Sequence, residues 1–194
     1  ISFHPHIVEI VESLRKRGIG VHLPSLRLDE VPIELIELIK DDVRTLTFGI
    51  EAGTESLRAF LGKKITDDEI LSRIDAIMKL KSFNLKLYFM IGIPGENLNE
   101  VDVIPELVKK IRHVMIKHGA PRGSLGNITV HVSPLVPKAA TPFQWIPMAD
   151  MGELKDKITR LRTAFRKIDN TVFTHDSVKF SFMQAVLSRG DRRG

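Results

Sequence analysis

The residues best suited to chemistry fall directly after runs of apolar or β-branched residues. Residues 45–50 run into Glu51-Ala52-Gly53. A carboxylate placed where the backbone turns accepts hydrogen bonds from a diol such as a ribose. It also suits the N-terminus of the helix expected near Thr54. Residues 85–93 run into Pro94-Gly95-Glu96. Gly92, Pro94 and Gly95 let backbone approach a planar ligand closely, and Glu96 is placed to orient that loop. The same residues also make an ordinary tight turn. Lys63 and Lys64 follow Gly62 and either reach over such a cleft or remain surface lysines. Ser25-Leu26-Arg27-Leu28-Asp29 and Val132-Ser133-Pro134-Leu135-Val136-Pro137 complete the set.

Other combinations carry less. His4-Pro5-His6 has no third metal ligand at a suitable spacing and reads as a helix start. His131 lies two residues from Ser133, but no nucleophile elbow surrounds that serine. Arg189-Gly190-Asp191 is a tripeptide frequent by chance. Neither a Walker loop nor a dinucleotide glycine fingerprint is present.

The elements that must position these residues alternate. Ile7, Ile10, Val11 and Leu14 recur at helical spacing and Gly18 stops that helix. A strand is expected at 19–23, and Pro32 opens a second helix from its first position. After the strand at 45–50, a short helix runs through Leu57, Phe60 and Leu61. Thr66 and Glu69 form a capping box for the next helix, with Ile70, Ile74, Ile77 and Met78 on its apolar face. Asn97 and Glu100 cap a helix after the strand at 85–93, where Pro105 implies a kink or a later start. A strand at 128–136, interrupted by Pro134 and Pro137, precedes a helix capped by Asp150 and Glu153. Residues 172–187 read as a strand followed by a helix.

Strands apolar at nearly every position, alternating with helices, imply parallel strands buried on both faces. A barrel is favoured over an open doubly wound sheet, because turn and polar residues cluster after every strand. Parallel sheets bind ligands at the carboxyl ends of their strands, so the stretches above form the expected cleft.

The chain has 194 residues, 43% hydrophobic and 27% charged, which fits one globular domain over 1–194, with 172–194 as a possible C-terminal extension. Net charge is +5, spread along the expected helices. It admits a nucleic-acid partner without requiring one. No apolar run reaches the ~20 residues of a membrane span, and the absence of a signal-peptide pattern makes cytoplasm the expected compartment. With no cysteine, the chain holds no disulfide and no thiolate metal site. It opens on Ile1 rather than methionine, and Ile1-Ser2-Phe3 reads straight into a helix, as expected of a piece of something longer.

Taken in order, Gly49-Ile50-Glu51-Ala52-Gly53-Thr54-Glu55-Ser56-Leu57-Arg58, Tyr88-Phe89-Met90-Ile91-Gly92-Ile93-Pro94-Gly95-Glu96 and Val132-Ser133-Pro134-Leu135-Val136-Pro137-Lys138, leading to Thr141-Pro142-Phe143-Gln144-Trp145, resemble the radical S-adenosylmethionine (SAM) superfamily. The nearest likeness is to its cobalamin-binding and methylthiotransferase-like members, and Gln184 to Arg193 is similar to the end of that group's core. The resemblance implies an α/β fold, a partial TIM-like (β/α)6 barrel whose N-terminal βα units lie upstream of this chain. It implies SAM bound to a [4Fe–4S] cluster on an upstream CxxxCxxC loop, reductive cleavage to a 5′-deoxyadenosyl radical, and cobalamin as a further cofactor of the full-length protein. By resemblance, Glu51 contacts the ribose hydroxyls, and Lys63 or Arg27 pairs with the SAM carboxylate. Ile91, Gly92, Pro94, Gly95 and Glu96 flank adenine, Val136 and Pro137 close over it, and Tyr88 lies near the cleft. Thr141 to Trp145 edge a substrate pocket. The substrate is a small molecule or RNA, and the piece alone is expected to be catalytically incomplete and prone to self-association. The alternatives are a degenerate scaffold that binds a nucleotide or a partner protein, and an RNA-modifying member of the superfamily.

Overall fold

The computed structural model describes residues 4–190. The Ile1-Ser2-Phe3 start and the Asp191-Arg192-Arg193 end of the last motif lie outside the described residues. Helices α1 (Ile7–Lys16) and α2 (Ile33–Ile39) precede strand β1 (Thr45–Glu51). Then follow α3 (Glu55–Phe60), α4 (Asp67–Leu80), β2 (Asn84–Ile91) and α5 (Leu98–Gly119). A short 3-10 turn leads to β3 (Ile128–Pro134), α6 (Met151–Phe165), β4 (Thr171–His175) and α7 (Val178–Arg189). The strands form one parallel sheet in the order β1-β2-β3-β4. This is the α/β alternation read from the sequence.

Local chemistry sets most boundaries. The Thr66–Glu69 and Asn97–Glu100 capping boxes both form, and the Asp150 carboxylate accepts from the Gly152 and Glu153 amides. Because the second box fixes the start of α5 at Leu98, Pro105 lies inside the helix, on its buried face, rather than before a later start. Pro32 is the N-cap of α2, with extended backbone, one position earlier than the first-turn placement expected.

Two expectations are corrected. No strand forms at 19–23. Gly18 and Gly20 weaken extended structure there, and the chain reaches the edge of β1 only at Leu26, by one bridge to Phe48 and a 2.8 Å bond from its amide to the Thr47 carbonyl. The sheet is also not buried on both faces. Leu46, Phe48 and Ile50, then Leu85, Leu87, Phe89 and Ile91, then Ile128, Val130 and Val132 face the helix-covered side and are essentially inaccessible. They belong to one core with Ile74, Ile77, Ile104 and Leu107, where each fully buried large side chain contributes about 1.5–3 kcal/mol. The alternate positions Thr47, Gly49, Lys86, Tyr88, Thr129, His131 and Ser133 are only half-buried. That face is polar and left partly open by the described residues, and it forms the floor of the cleft.

Candidate functional site

The cleft lies at the carboxyl ends of β1–β3. One lobe, of about 390 Å³, is lined by Ser25, Arg27, Gly49, Glu51, Lys63, Tyr88, Met90 and Ser133. An adjoining lobe of about 380 Å³ shares Arg27, Glu51, Lys63 and Met90 and adds Leu61, Leu135 and Phe143. Glu51 owes its place to a bulge: Gly49 pairs with Tyr88 and Glu51 with Phe89, so Ile50 is skipped. Its φ is 78°, a left-handed conformation unusual for a side-chain-bearing residue and one that concentrates at ligand sites.

Lys63 holds that bulge. Its ammonium donates to the Gly49 carbonyl and, at 3.1 Å, to Glu51 Oε1. A lysine ammonium has three donors, so one is left for a ligand. Among the described residues no hydrogen bond engages Glu51 Oε2, which is left to accept from one. Arg27 is more committed: Nη2 donates to Asp29 at 2.7 Å and lies 3.1 Å from Glu30. The hydrogen bond to Asp29 raises the Arg27 pKa. Burial pushes the Asp29 carboxyl up, but the bonds from Arg27 and its own backbone outweigh that and hold it below its usual value.

Arg58 joins the two walls of the cleft. It is wholly buried, and donates to the carbonyls of Ala52 (3.2 Å), Gly53 (3.0 Å) and Ile65 (3.0 Å) and to Asp67 Oδ1 (2.6 Å). Ala52 and Gly53 follow Glu51, and Ile65 follows Lys63, so one guanidinium fixes the spacing of that pair. The planar fork of donors suits arginine and not lysine.

The 92–96 loop is built differently from the expectation. Gly92 has φ 76°, and a Cβ there would meet Leu154 Cδ2 at 2.8 Å and Ala149 Cβ at 3.0 Å, so its missing side chain admits α6 rather than a planar ligand. Glu96 does orient the loop: Oε2 accepts from the Gly92 amide at 2.7 Å and from Lys157 Nζ at 2.9 Å. Burial pushes the Glu96 carboxyl up, against the bonds from Lys157 and Gly92 that hold it down. Burial pulls Lys157 down, and its bonds to Glu153 and Glu96 outweigh this, so the ammonium is held charged above the ordinary lysine value.

Of the residues singled out from the sequence, Arg27, Glu51, Lys63 and Tyr88 therefore meet around one cleft. Ile91, Gly92, Pro94, Gly95, Glu96, Val136 and Pro137 line neither lobe. Ile91 is fully buried on the helix side of β2, and strand alternation puts Met90 on the cleft side in its place. Leu135 stands where Val136 was expected. Of the 141–145 segment, Phe143 reaches the second lobe while Trp145 is 87% exposed. Ser25, Met90 and Leu135 lie in the strand-end stretches read from the sequence but were not singled out within them; strand parity, counted from the Glu51 turn, is what would have found Met90.

The family model described as the radical SAM superfamily matches residues 1–108. Those residues include β1, β2, Arg27, Glu51, Lys63, Tyr88 and the 92–96 loop. The uncharacterized protein MJ0966 of Methanocaldococcus jannaschii is 30% identical over 191 residues, covering 98% of this chain and 40% of that protein. The uncharacterized protein MJ1620 of the same organism is 24% identical over 160 residues, covering 81% of this chain and 27% of that protein. The chain thus spans less than half the length of either relative. With 108 of its 194 residues matched, carrying the strand-end residues that meet around the cleft, the chain belongs to the radical SAM superfamily.

Proposed function

We propose that the cleft holds the nucleoside part of SAM, and that the chain is the cofactor-facing part of a radical SAM enzyme whose barrel is completed outside it. The bulged end of β1 carries this reading: Glu51 keeps a free carboxylate oxygen for a ribose diol, and Lys63 keeps a free donor beside it. Met90 and Leu135 supply apolar surface for adenine in the lobe that Glu51 and Lys63 also line. Lys63 and Arg27 supply the positive charge that suits the SAM carboxylate.

The residues present do not fit the iron–sulfur cluster. The chain has no cysteine, and the described residues hold no group of three or more metal-ligating side chains. Such a cluster, held by residues other than these, would supply an electron for SAM cleavage; this chain's own residues would bind, orient and enclose the nucleoside. The experiment is anaerobic reconstitution of the complete gene product, with 5′-deoxyadenosine formed from SAM as the readout. Glu51→Gln is expected to lower that yield about tenfold, as loss of one charge-assisted hydrogen bond does. Nucleoside binding without any 5′-deoxyadenosine, from a protein carrying no cluster, would instead support a binding scaffold, the reading that the lack of cysteine favours.

No helix among the described residues is long and apolar enough to cross a membrane.

A further inference from the structure

Below the cleft, the open face of the sheet carries a second group of polar side chains that the nucleoside reading leaves unused. Lys86 and Tyr88 alternate along β2, the strand flanked by β1 and β3. Lys86 sits in register with Thr47 on one side and Thr129 on the other. A lysine is an uncommon choice for a half-buried place in the middle of a sheet. Among the described residues it makes no ion pair and no hydrogen bond; its ammonium lies 5.0 Å from the centre of the Tyr88 ring. The Tyr88 hydroxyl likewise has no hydrogen-bond partner among the described residues, and the ring lines the cleft.

His131 stands on the other side of Tyr88, the two rings 5.1 Å apart and edge to face. The Thr174 hydroxyl lies 2.9 Å from His131 Nδ1 and 3.3 Å from the Val130 carbonyl. Nε2 faces Asp176 Oδ1 at 3.2 Å, a carboxylate that only accepts, and Asp176 Oδ2 takes the Ser133 hydroxyl at 2.7 Å. Tyr88 thus lies between the Lys86 ammonium, which has no carboxylate partner among the described residues, and the His131 ring, which faces Asp176.

We propose that this face binds an oxyanion of the substrate, a carboxylate or a phosphate. The Lys86 ammonium and the Tyr88 hydroxyl donate to it, and the His131 ring packs edge-to-face against Tyr88 beside it. Both donors are free, both face the cleft side, and no carboxylate pairs with the Lys86 ammonium among the described residues. An anionic group seated there sits one to three residues along β2 from the position level with Glu51, so the rest of the substrate extends toward the nucleoside. As an assignment of substrate class the proposal rests on the nucleoside reading of the cleft; the oxyanion site itself is testable apart from it.

Tyr88 is the one tyrosine of the chain, so protein labelled with [ε-13C]tyrosine gives a single ring resonance from the site. The full chain is titrated with inorganic phosphate and, separately, with acetate, at ionic strength fixed by sodium chloride, and with acetamide as the neutral control. The expected result is a saturable shift with one or both oxyanions and none with acetamide. The stronger of the two arms identifies the group as phosphate or carboxylate. Lys86→Gln, or Lys86→Met should the first not fold, weakens that response at least about tenfold, whereas Lys86→Arg keeps it within about threefold. A shift that never saturates, or one equally strong in the neutral variants, overturns the proposal. Adenosine titration followed at Met90 reports on the nucleoside reading separately, so failure of one leaves the other identifiable.

Discussion

Replacing Arg58 with methionine keeps the bulk of the side chain and removes every donor from a site with no access to water. Three carbonyls, of Ala52, Gly53 and Ile65, lose their partner at once. The fourth partner fares better: the Asp67 side chain is 24% exposed, and Lys110 lies 3.6 Å from its other oxygen, so it can turn toward both. Breaking a buried ion pair from one side costs about 3–5 kcal/mol, and each stranded carbonyl about 1–3 kcal/mol before relaxation. With solvation of Asp67 set against the three carbonyls, the expected loss is about 3–5 kcal/mol. For a chain of this size that is a fall in Tm of about 6–20 °C, at 2–4 °C per kcal/mol. Arg58→Lys restores the charge but not the fork, and is expected to recover no more than half of the loss. Differential scanning calorimetry of the three proteins measures it. A methionine variant melting within about 2 °C of the parent, or a lysine variant indistinguishable from it, would refute the idea that one guanidinium braces both walls of the cleft.

Further expectations follow from the same geometry. Gly92→Ala places a methyl group against Leu154 and Ala149 at a left-handed φ, and should destabilise by about 1–3 kcal/mol in urea denaturation; an unchanged midpoint would mean that α6 shifts freely. Hydrogen bonds from Lys79, then His118 and Lys117, hold the Asp75 carboxyl well below the usual range. A carboxyl depressed on folding stabilises the fold above its unfolded pKa of about 4 and loses that contribution as pH falls. The stability gap between the parent and Asp75→Asn should therefore shrink between about pH 6 and pH 3, and a gap constant over that range would count against the cluster. Glu96→Gln leaves the Lys157 ammonium with Glu153 as its one carboxylate. It should loosen the 92–96 loop, seen as faster amide exchange at Gly92; unchanged exchange there would show that the ammonium does not act through Glu96.

Much of the fold is legible because its signals are local. The two capping boxes and the Asp150 cap set helix starts from four residues each, and the apolar runs around Phe48, Leu87 and Val130 mark the strands. The failures come where the signal is not local. Residues 19–23 alternate like a strand, but a strand exists only with a partner, and the chain meets β1 at Leu26 alone. Residues 85–93 are apolar at both parities near their end, so nothing in the run itself separates Met90, which faces the cleft, from Ile91, which faces the helices. The pairing of Glu51 with Lys63 across 12 residues depends on a bulge, and that of Glu96 with Lys157 across 61 depends on where α6 docks. Glu51 and Lys63 could each be named from sequence; that Arg58 holds them at a fixed spacing could not.

The claim on which the rest depends is that the cleft between Glu51, Lys63 and Met90 receives a nucleoside. The chain has six methionines, and of these Met90 lines both lobes while Met78 and Met115 are buried in the helix-covered core. Titrating adenosine into [ε-13C]methionine-labelled protein should shift the Met90 methyl resonance saturably, leave Met78 and Met115 in place, and show at least about tenfold weaker binding in Glu51→Gln. A Met90 resonance that stays fixed at saturating adenosine, or binding unaffected by the loss of the Glu51 charge, would contradict the account.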